Sequence, residues 1–173
     1  MNPSYVTYEY QQIPHNILVA WSMATHHEEF LLTQTVEELH ENVLYAVIAF
    51  VGGRPVGFSG LVVAHTRNNQ AVTWRGRRVV ELGGAYIAPM HRGKGIWRRV
   101  VELRLAYARA HDWLAVCITG NATVRKGLAM LEGARLIDHV AERGLLESLC
   151  LDCEPAASCP YCPLKEGAAW CLT

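Results

Sequence analysis

Pro89-Met90-His91-Arg92-Gly93-Lys94-Gly95-Ile96-Trp97 is the stretch that decides how this chain folds. It follows a strand-like run, Val79 to Ala88, and opens a helix-like run, Arg98 to His111. Two glycines one residue apart, among cationic residues at a strand-to-helix junction, describe a cradle for phosphate. Glycine lets successive backbone N–H groups turn into one concavity, and the start of a helix adds partial positive charge. Ordinary turns also use glycine pairs. The strand before, the basic residues within and the helix after are what set this pair apart.

Outward from that loop the chain reads as alternating elements. Ser4 to Ile13, rich in Tyr, Val and Thr, predicts a first strand. Pro14 suits a helix start, and Ile17, Leu18, Trp21 and Ala24 follow at helical spacing. Thr35 to Glu38 is a capping-box pattern opening a second helix. Tyr45 to Phe50 and Val56 to His65 are strand runs around the hairpin signal Gly52-Gly53-Arg54-Pro55. A turn over Thr66 to Gln70 precedes Ala71 to Trp74, and Gly76 precedes the strand carrying Glu81. After the long helix come a strand-like Trp113 to Thr119, a helix-like Ala122 to Leu131 and a final strand run. Strands first and alternation afterwards predict an α/β (α+β) fold, a sheet with helices packed on it.

The region of the loop resembles the acetyl-CoA-binding motif of the GNAT superfamily of acyl-CoA N-acyltransferases. That pattern, Arg or Gln, two residues, Gly, one residue, Gly or Ala, lands on Arg92, Gly95 and position 97. Position 97 departs from it, being Trp where the family has a small residue. The family's strand glutamate falls on Glu81, and Asn121, between a strand run and a helix run, matches a further recurring position. Gly133-Ala134 resembles the end of the family's late helix. The likeness covers roughly residues 5 to 140 and implies a mixed, mostly antiparallel central sheet flanked by helices. It implies that coenzyme pyrophosphate lies over the backbone of Arg92, Gly93, Lys94, Gly95, Ile96 and Trp97, with Asn121 also contributing. By the same likeness Ala85 offers its amide to the thioester oxygen and Ile87 bonds the pantetheine arm. The family's usual proton-donating Tyr would fall near Leu128-Ala129 and is absent; Tyr86, Tyr107 and Cys117 are the substitutes to weigh against simple packing.

Composition limits the alternatives. A chain of 173 residues with 51% hydrophobic and 18% charged residues has enough apolar content for a packed core. A formal net charge of +0 gives no global field toward nucleic acid or an anionic membrane. Cations nevertheless gather between Arg75 and Arg104 around the proposed phosphate site; the helix arginines beyond Arg99 read as a solvated face. No run approaches the roughly 20 apolar residues of a membrane span, and the N-terminus has no signal-peptide pattern. The expectation is a cytoplasmic protein whose six cysteines are thiols or metal ligands.

Acyl transfer to an amine needs a proton acceptor, a nitrogen within attack distance and a donor for the developing oxyanion. Glu81 is the candidate for the first: burial on a strand raises a carboxyl toward neutrality, which suits a general base. The plain alternative is a structural ion pair with a nearby arginine. Gly83-Gly84, inside the same strand, predicts a bulge or a close backbone approach. For Trp97 the expectation is a side chain turned into the core while its N–H faces the ligand. His26-His27-Glu28-Glu29 falls where the resembled family lines its acceptor pocket, though an exposed polar helix face is the simpler reading.

Near Arg143 the character changes. Cys150, Cys153, Cys159 and Cys162 form two Cys-x2-Cys knuckles, with Pro155, Pro160 and Pro163 around them. Four thiolates are what tetrahedral structural zinc requires. An iron–sulfur cluster suits the spacing less, and four unrelated thiols is the plain reading; His139 and Cys171 are spare ligands. The expected organisation is an acyltransferase domain over residues 1–142 and a cysteine-rich, zinc-binding appendage with a final strand over residues 143–173. The expected function is an acetyl-CoA-dependent N-acetyltransferase acting on an amine-bearing small molecule or protein. The rival is a catalytically silent module of the same fold that holds a partner through its cysteine knob. A nucleic-acid-binding zinc protein is disfavoured by the neutral charge and by Asp152 and Glu154.

Overall fold

A computed structural model of the chain describes residues 2–26, 28, 34–64, 71–149 and 169–172. Among them the order is β1 (Ser4–Glu9), α1 (His15–Thr25), α2 (Val36–Asn42), β2 (Val43–Val51), β3 (Arg54–Val63), β4 (Thr73–Trp74), β5 (Arg77–Ile87), a 3₁₀ turn (Pro89–His91), α3 (Ile96–Ala110), β6 (Leu114–Ile118), α4 (Ala122–Leu128), β7 (Ala134–Leu136), α5 (Arg143–Leu149) and β8 (Ala169–Leu172). This is the expected mixed α/β class, with a mostly antiparallel sheet. No described helix is long and apolar enough to cross a membrane. The chain forms two compact units, Met1–Val62 with Leu82–Tyr107, and Val63–Glu81 with Ala108–Thr173.

In the first unit, β1, β2 and β3 follow one another in strand order and the later part of β5 comes next. β1 pairs antiparallel with β2 from Ser4↔Phe50 to Glu9↔Tyr45. β2 and β3 close a hairpin at Val51↔Arg54, as the glycine signal predicts. Thr35 caps α2 in a full box: its hydroxyl accepts from the Glu38 N–H at 3.1 Å, and the Glu38 carboxylate accepts from the Thr35 N–H at 2.8 Å. Ile17, Leu18 and Trp21 of α1 meet Leu39, Val43, Ala46, Ile48 and Phe58 in one apolar cluster. Trp21 is fully buried and stacks on Phe58 with ring centroids 6.1 Å apart. Gly60 makes room for it, since a Cβ there would lie 2.9 Å from the indole.

Along α3, Ile96, Val100, Val101, Leu105 and Ala108 are buried at helical spacing. Arg98, outside that face, pairs with Glu102 at 3.0 Å. Arg104 overturns the sequence reading of a solvated face, being only 1% exposed. It lies one turn beyond Val100 and so shares its inward face. Its guanidinium donates to the carbonyls of Gly60 at 2.8 Å, Gly83 at 3.3 Å and Val100 at 3.3 Å.

In the second unit, the early part of β5 pairs parallel with β6, from Val79↔Leu114 to Glu81↔Val116. Parallel neighbours need a long crossover, which α3 supplies. β8 pairs antiparallel with β6 and with β7, and β4 pairs with β5. All four residues of β8 are buried, so the terminal apolar run does return to the sheet. Arg143–Leu149 is a helix that buries Leu145 and Leu146 beside Val79, Val116, Ile137 and Ala169. Cys171 belongs to that cluster too, and burial pushes its thiol pKa up, which disfavours the thiolate a metal needs; the core, rather than a metal, accounts for it. Cys150, Cys153, Cys159 and Cys162 lie outside the described residues, as do His27, Glu29 and the expected turn over Thr66 to Gln70.

Candidate active site

The glycine loop is built as a backbone cradle. His91 N–H donates to Ala88 O at 2.8 Å and Arg92 N–H to Pro89 O at 3.2 Å, closing the 3₁₀ turn that ends the strand. Gly93 and Gly95 then take φ of +73° and +76°, in the left-handed region that side chains rarely adopt. At neither position would an added Cβ meet an atom within 4 Å, so the loop presents an open concavity. Arg99 N–H to Gly95 O, at 3.1 Å, is the first rung of α3. The N–H groups of Ile96, Trp97 and Arg98 precede the ladder and have no acceptor within it. Together with the helix dipole they suit an anion.

Two side chains differ from expectation here. Ile96, 2% exposed, is the residue that anchors the loop in the core, whereas Trp97 is half-buried. The helix starts at position 96, so the inward phase falls on the isoleucine. Arg92 is already engaged: Nε donates to Ile87 O at 2.8 Å, and the guanidinium pairs with Glu28 at 2.6 Å. It therefore ties the loop to the end of β5 and to the residues after α1, leaving exposed Lys94 as the loop's unpaired cation among the described residues. Glu28 was read from sequence only as part of a polar run, because a pairing across 64 positions leaves no local signal.

Upstream of the loop, β5 is irregular where the sequence placed its glycine pair. Gly84 has φ +53°, and a Cβ there would come within 3.2 Å of Gln34 Oε1. A Cβ on Gly83 would lie 2.9 Å from Val62. Ala85 is half-buried and Ile87 buried. These two and the loop from Arg92 to Trp97 belong to the first unit.

Glu81 and Asn121 belong to the second unit. Glu81 is half-buried, in register with Val116 on β6, and desolvation raises its carboxyl from 4.5 to about 7. It makes no hydrogen bond or ion pair with any described residue, which leaves the structural ion pair without support. Asn121 is the N-cap of α4: its Oδ1 accepts from the N–H groups of Thr123 at 2.9 Å and Val124 at 3.3 Å. Its side-chain oxygen thus has a local structural task. Of the substitute proton donors, Tyr107 stacks on Tyr45 with centroids 3.9 Å apart, and burial, with Glu9 adding to it, raises its phenol pKa. Tyr86 packs near Phe58 and Cys117 is buried in β6. Leu128 is fully buried and Ala129 exposed, so no donor stands at the family's tyrosine position. No group of three or more His, Cys, Asp or Glu among the described residues is arranged to hold a metal.

The family model for the Acetyltransferase (GNAT) family matches residues 7–126, and the chain belongs to that family. Solved structures share its fold at low identity. A GNAT-family acetyltransferase from Staphylococcus aureus Mu50 is 14% identical, with TM-score 0.60 and 98% of each chain covered. Rv2747 of Mycobacterium tuberculosis, solved in complex with CoA and NLQ, is 18% identical, with TM-score 0.57, over 97% of this chain and 98% of that one. Eis1 of Mycobacterium abscessus is 14% identical, with TM-score 0.53, over 78% of this chain; the match spans only 31% of Eis1. No curated protein matches the sequence.

Proposed function

We propose that the protein is an acetyl-CoA-dependent N-acetyltransferase acting on a primary amine, with Glu81 as general base. The observation that carries this reading is Glu81 itself, an unpaired, desolvated carboxyl near neutrality on the strand that leads into an anion cradle. Acetyl-CoA supplies an acetyl thioester activated for attack by an amine, with a thiol acidic enough to leave as thiolate. The residues present fit such a cosubstrate: the open backbone of Gly93 and Gly95 and the first N–H groups of α3 receive pyrophosphate, and Lys94 adds charge. The Ala85 amide, next to the left-handed Gly84, is the proposed donor to the thioester oxygen. Ile87 contributes backbone groups to the pantetheine arm, and Asn121 acts through the start of α4.

Glu81 accepts the proton that the acceptor's ammonium must lose, directly or through a water. A base with a pKa of about 7 is half ionised at neutral pH, where proton transfer is most efficient. Glu81→Gln keeps the shape and removes the basicity. Turnover is expected to fall about 10²–10⁴-fold, with coenzyme affinity nearly unchanged. The wild-type rate should rise with pH through about 7, the variant's should not. Equal rates and equal pH profiles in both proteins would exclude the role. Coenzyme binding without turnover on any amine would support the silent-module reading. The four knuckle cysteines, Cys150, Cys153, Cys159 and Cys162, are proposed to hold one structural zinc on the strength of their spacing.

A further inference from the structure

We infer that the flank of α4 in the second unit is a binding site for a small molecule that joins a flat apolar body to a single carboxylate. The site is a cavity of about 380 Å³ lined by Ala122, Arg125, Lys126, Ala129, Leu136 and Trp170. The α4 residues fall on one helical face, one and two turns apart. Alanines at both ends of that face leave a hollow where longer side chains would reach the sheet, and Arg125 and Lys126 stand between them. The opposite wall comes from a cross-strand pair, Leu136 of β7 in register with Trp170 of β8.

The lining sets the ligand's chemistry. Leu136 is 48% exposed, so an apolar surface lies open beside two cations. Neither Arg125 nor Lys126 has an ion-pair or hydrogen-bond partner for its side chain among the described residues, and both are available to an anion. A guanidinium fork matches a carboxylate in two-point geometry. A wall of alanine, leucine and indole favours a monoanion with an apolar body over a phosphate dianion, whose desolvation costs more. The volume lies at the small end of ligand pockets, which suits one ring or a short chain. Trp170 also provides the reporter: its indole N–H is buried with no partner, so its resonance will respond to a molecule seated against the ring.

The test uses benzoate as probe and benzyl alcohol as its uncharged counterpart, read by the five indole N–H resonances of the 15N-labelled full chain, with Trp170→Phe assigning one of them. Benzoate is expected to move the Trp170 resonance saturably in the millimolar range, with benzyl alcohol about tenfold weaker. The Arg125→Gln/Lys126→Gln double variant should weaken benzoate about tenfold while leaving benzyl alcohol unchanged. Saturating coenzyme A should not displace the probe, which separates this site from the proposed coenzyme cradle. Equal titration by the two probes, an unmoved Trp170 resonance, or competition with coenzyme A would each overturn the inference. The comparison of the two probes on unaltered protein stands even if the double variant fails to fold.

Discussion

Glu81 carries a thermodynamic consequence as well as a catalytic one. Its carboxyl is raised from 4.5 to about 7 by desolvation, so the folded chain prefers it protonated. That preference leaves stability intact below about 4.5 and erodes it as pH rises through about 7, where the ionised group must sit half-buried. Glu81→Gln cannot ionise and escapes the loss. It should therefore be more stable than wild type at pH 8, by roughly 1–3 kcal/mol, and indistinguishable at pH 4. Urea unfolding at the two pH values measures this, and a gain of equal size at both would show that ionisation is not the cause. The glycines of the loop make a second residue-scale prediction. Gly95→Asp puts a side chain at φ +76° and a negative charge in the concavity. Coenzyme affinity measured by titration calorimetry should fall at least about tenfold, with far-UV dichroism confirming the fold. Undiminished affinity would remove pyrophosphate from this loop.

At the scale of elements, Arg104 pins α3 to β3 and β5 within the first unit through the carbonyls of Gly60 and Gly83. A buried cation is expensive unless its donors are satisfied, and truncating it leaves carbonyls without a donor and a void behind. Arg104→Ala should lower stability by about 2–5 kcal/mol. Arg104→Lys should recover only part of that, because one ammonium cannot reproduce a planar fork toward two strands. The measurement is the urea midpoint at constant slope. Full recovery by lysine would mean that charge alone, rather than the two-strand geometry, is what α3 requires.

At the scale of the whole molecule, family membership accounts for residues 7–126, and the second core extends beyond them through β7, α5 and β8. Between α5 and β8 the sequence places its two cysteine knuckles, with little apolar content and three prolines among them. Such a segment has few side chains with which to build a core, and a metal fixing both knuckles would replace one. Protein purified without chelators should contain about one zinc per chain, and removing it should lower the melting temperature while leaving coenzyme binding in place. Four freely titrating thiols and no metal would end this proposal, and iron with visible absorbance would replace zinc with a cluster.

The sequence by itself determined the order of the elements, the capping box at Thr35, the hairpin at Gly52-Gly53 and the glycine cradle at Gly93 and Gly95. Each is a local matter, decided by residues within a few positions of one another, where backbone preference and hydrophobic period speak directly. Tertiary structure alone decided that Arg104 is buried, that Arg92 is held by Glu28, that Ile96 and not Trp97 anchors the loop, and that Asn121 caps α4. It also decided that Leu145 and Leu146, just before the cysteines, complete a core. The physical reason is common to most of these. A charge or an apolar side chain takes its environment from chain segments far away in sequence, and one residue of helical phase at the start of α3 is enough to choose which side chain faces inward.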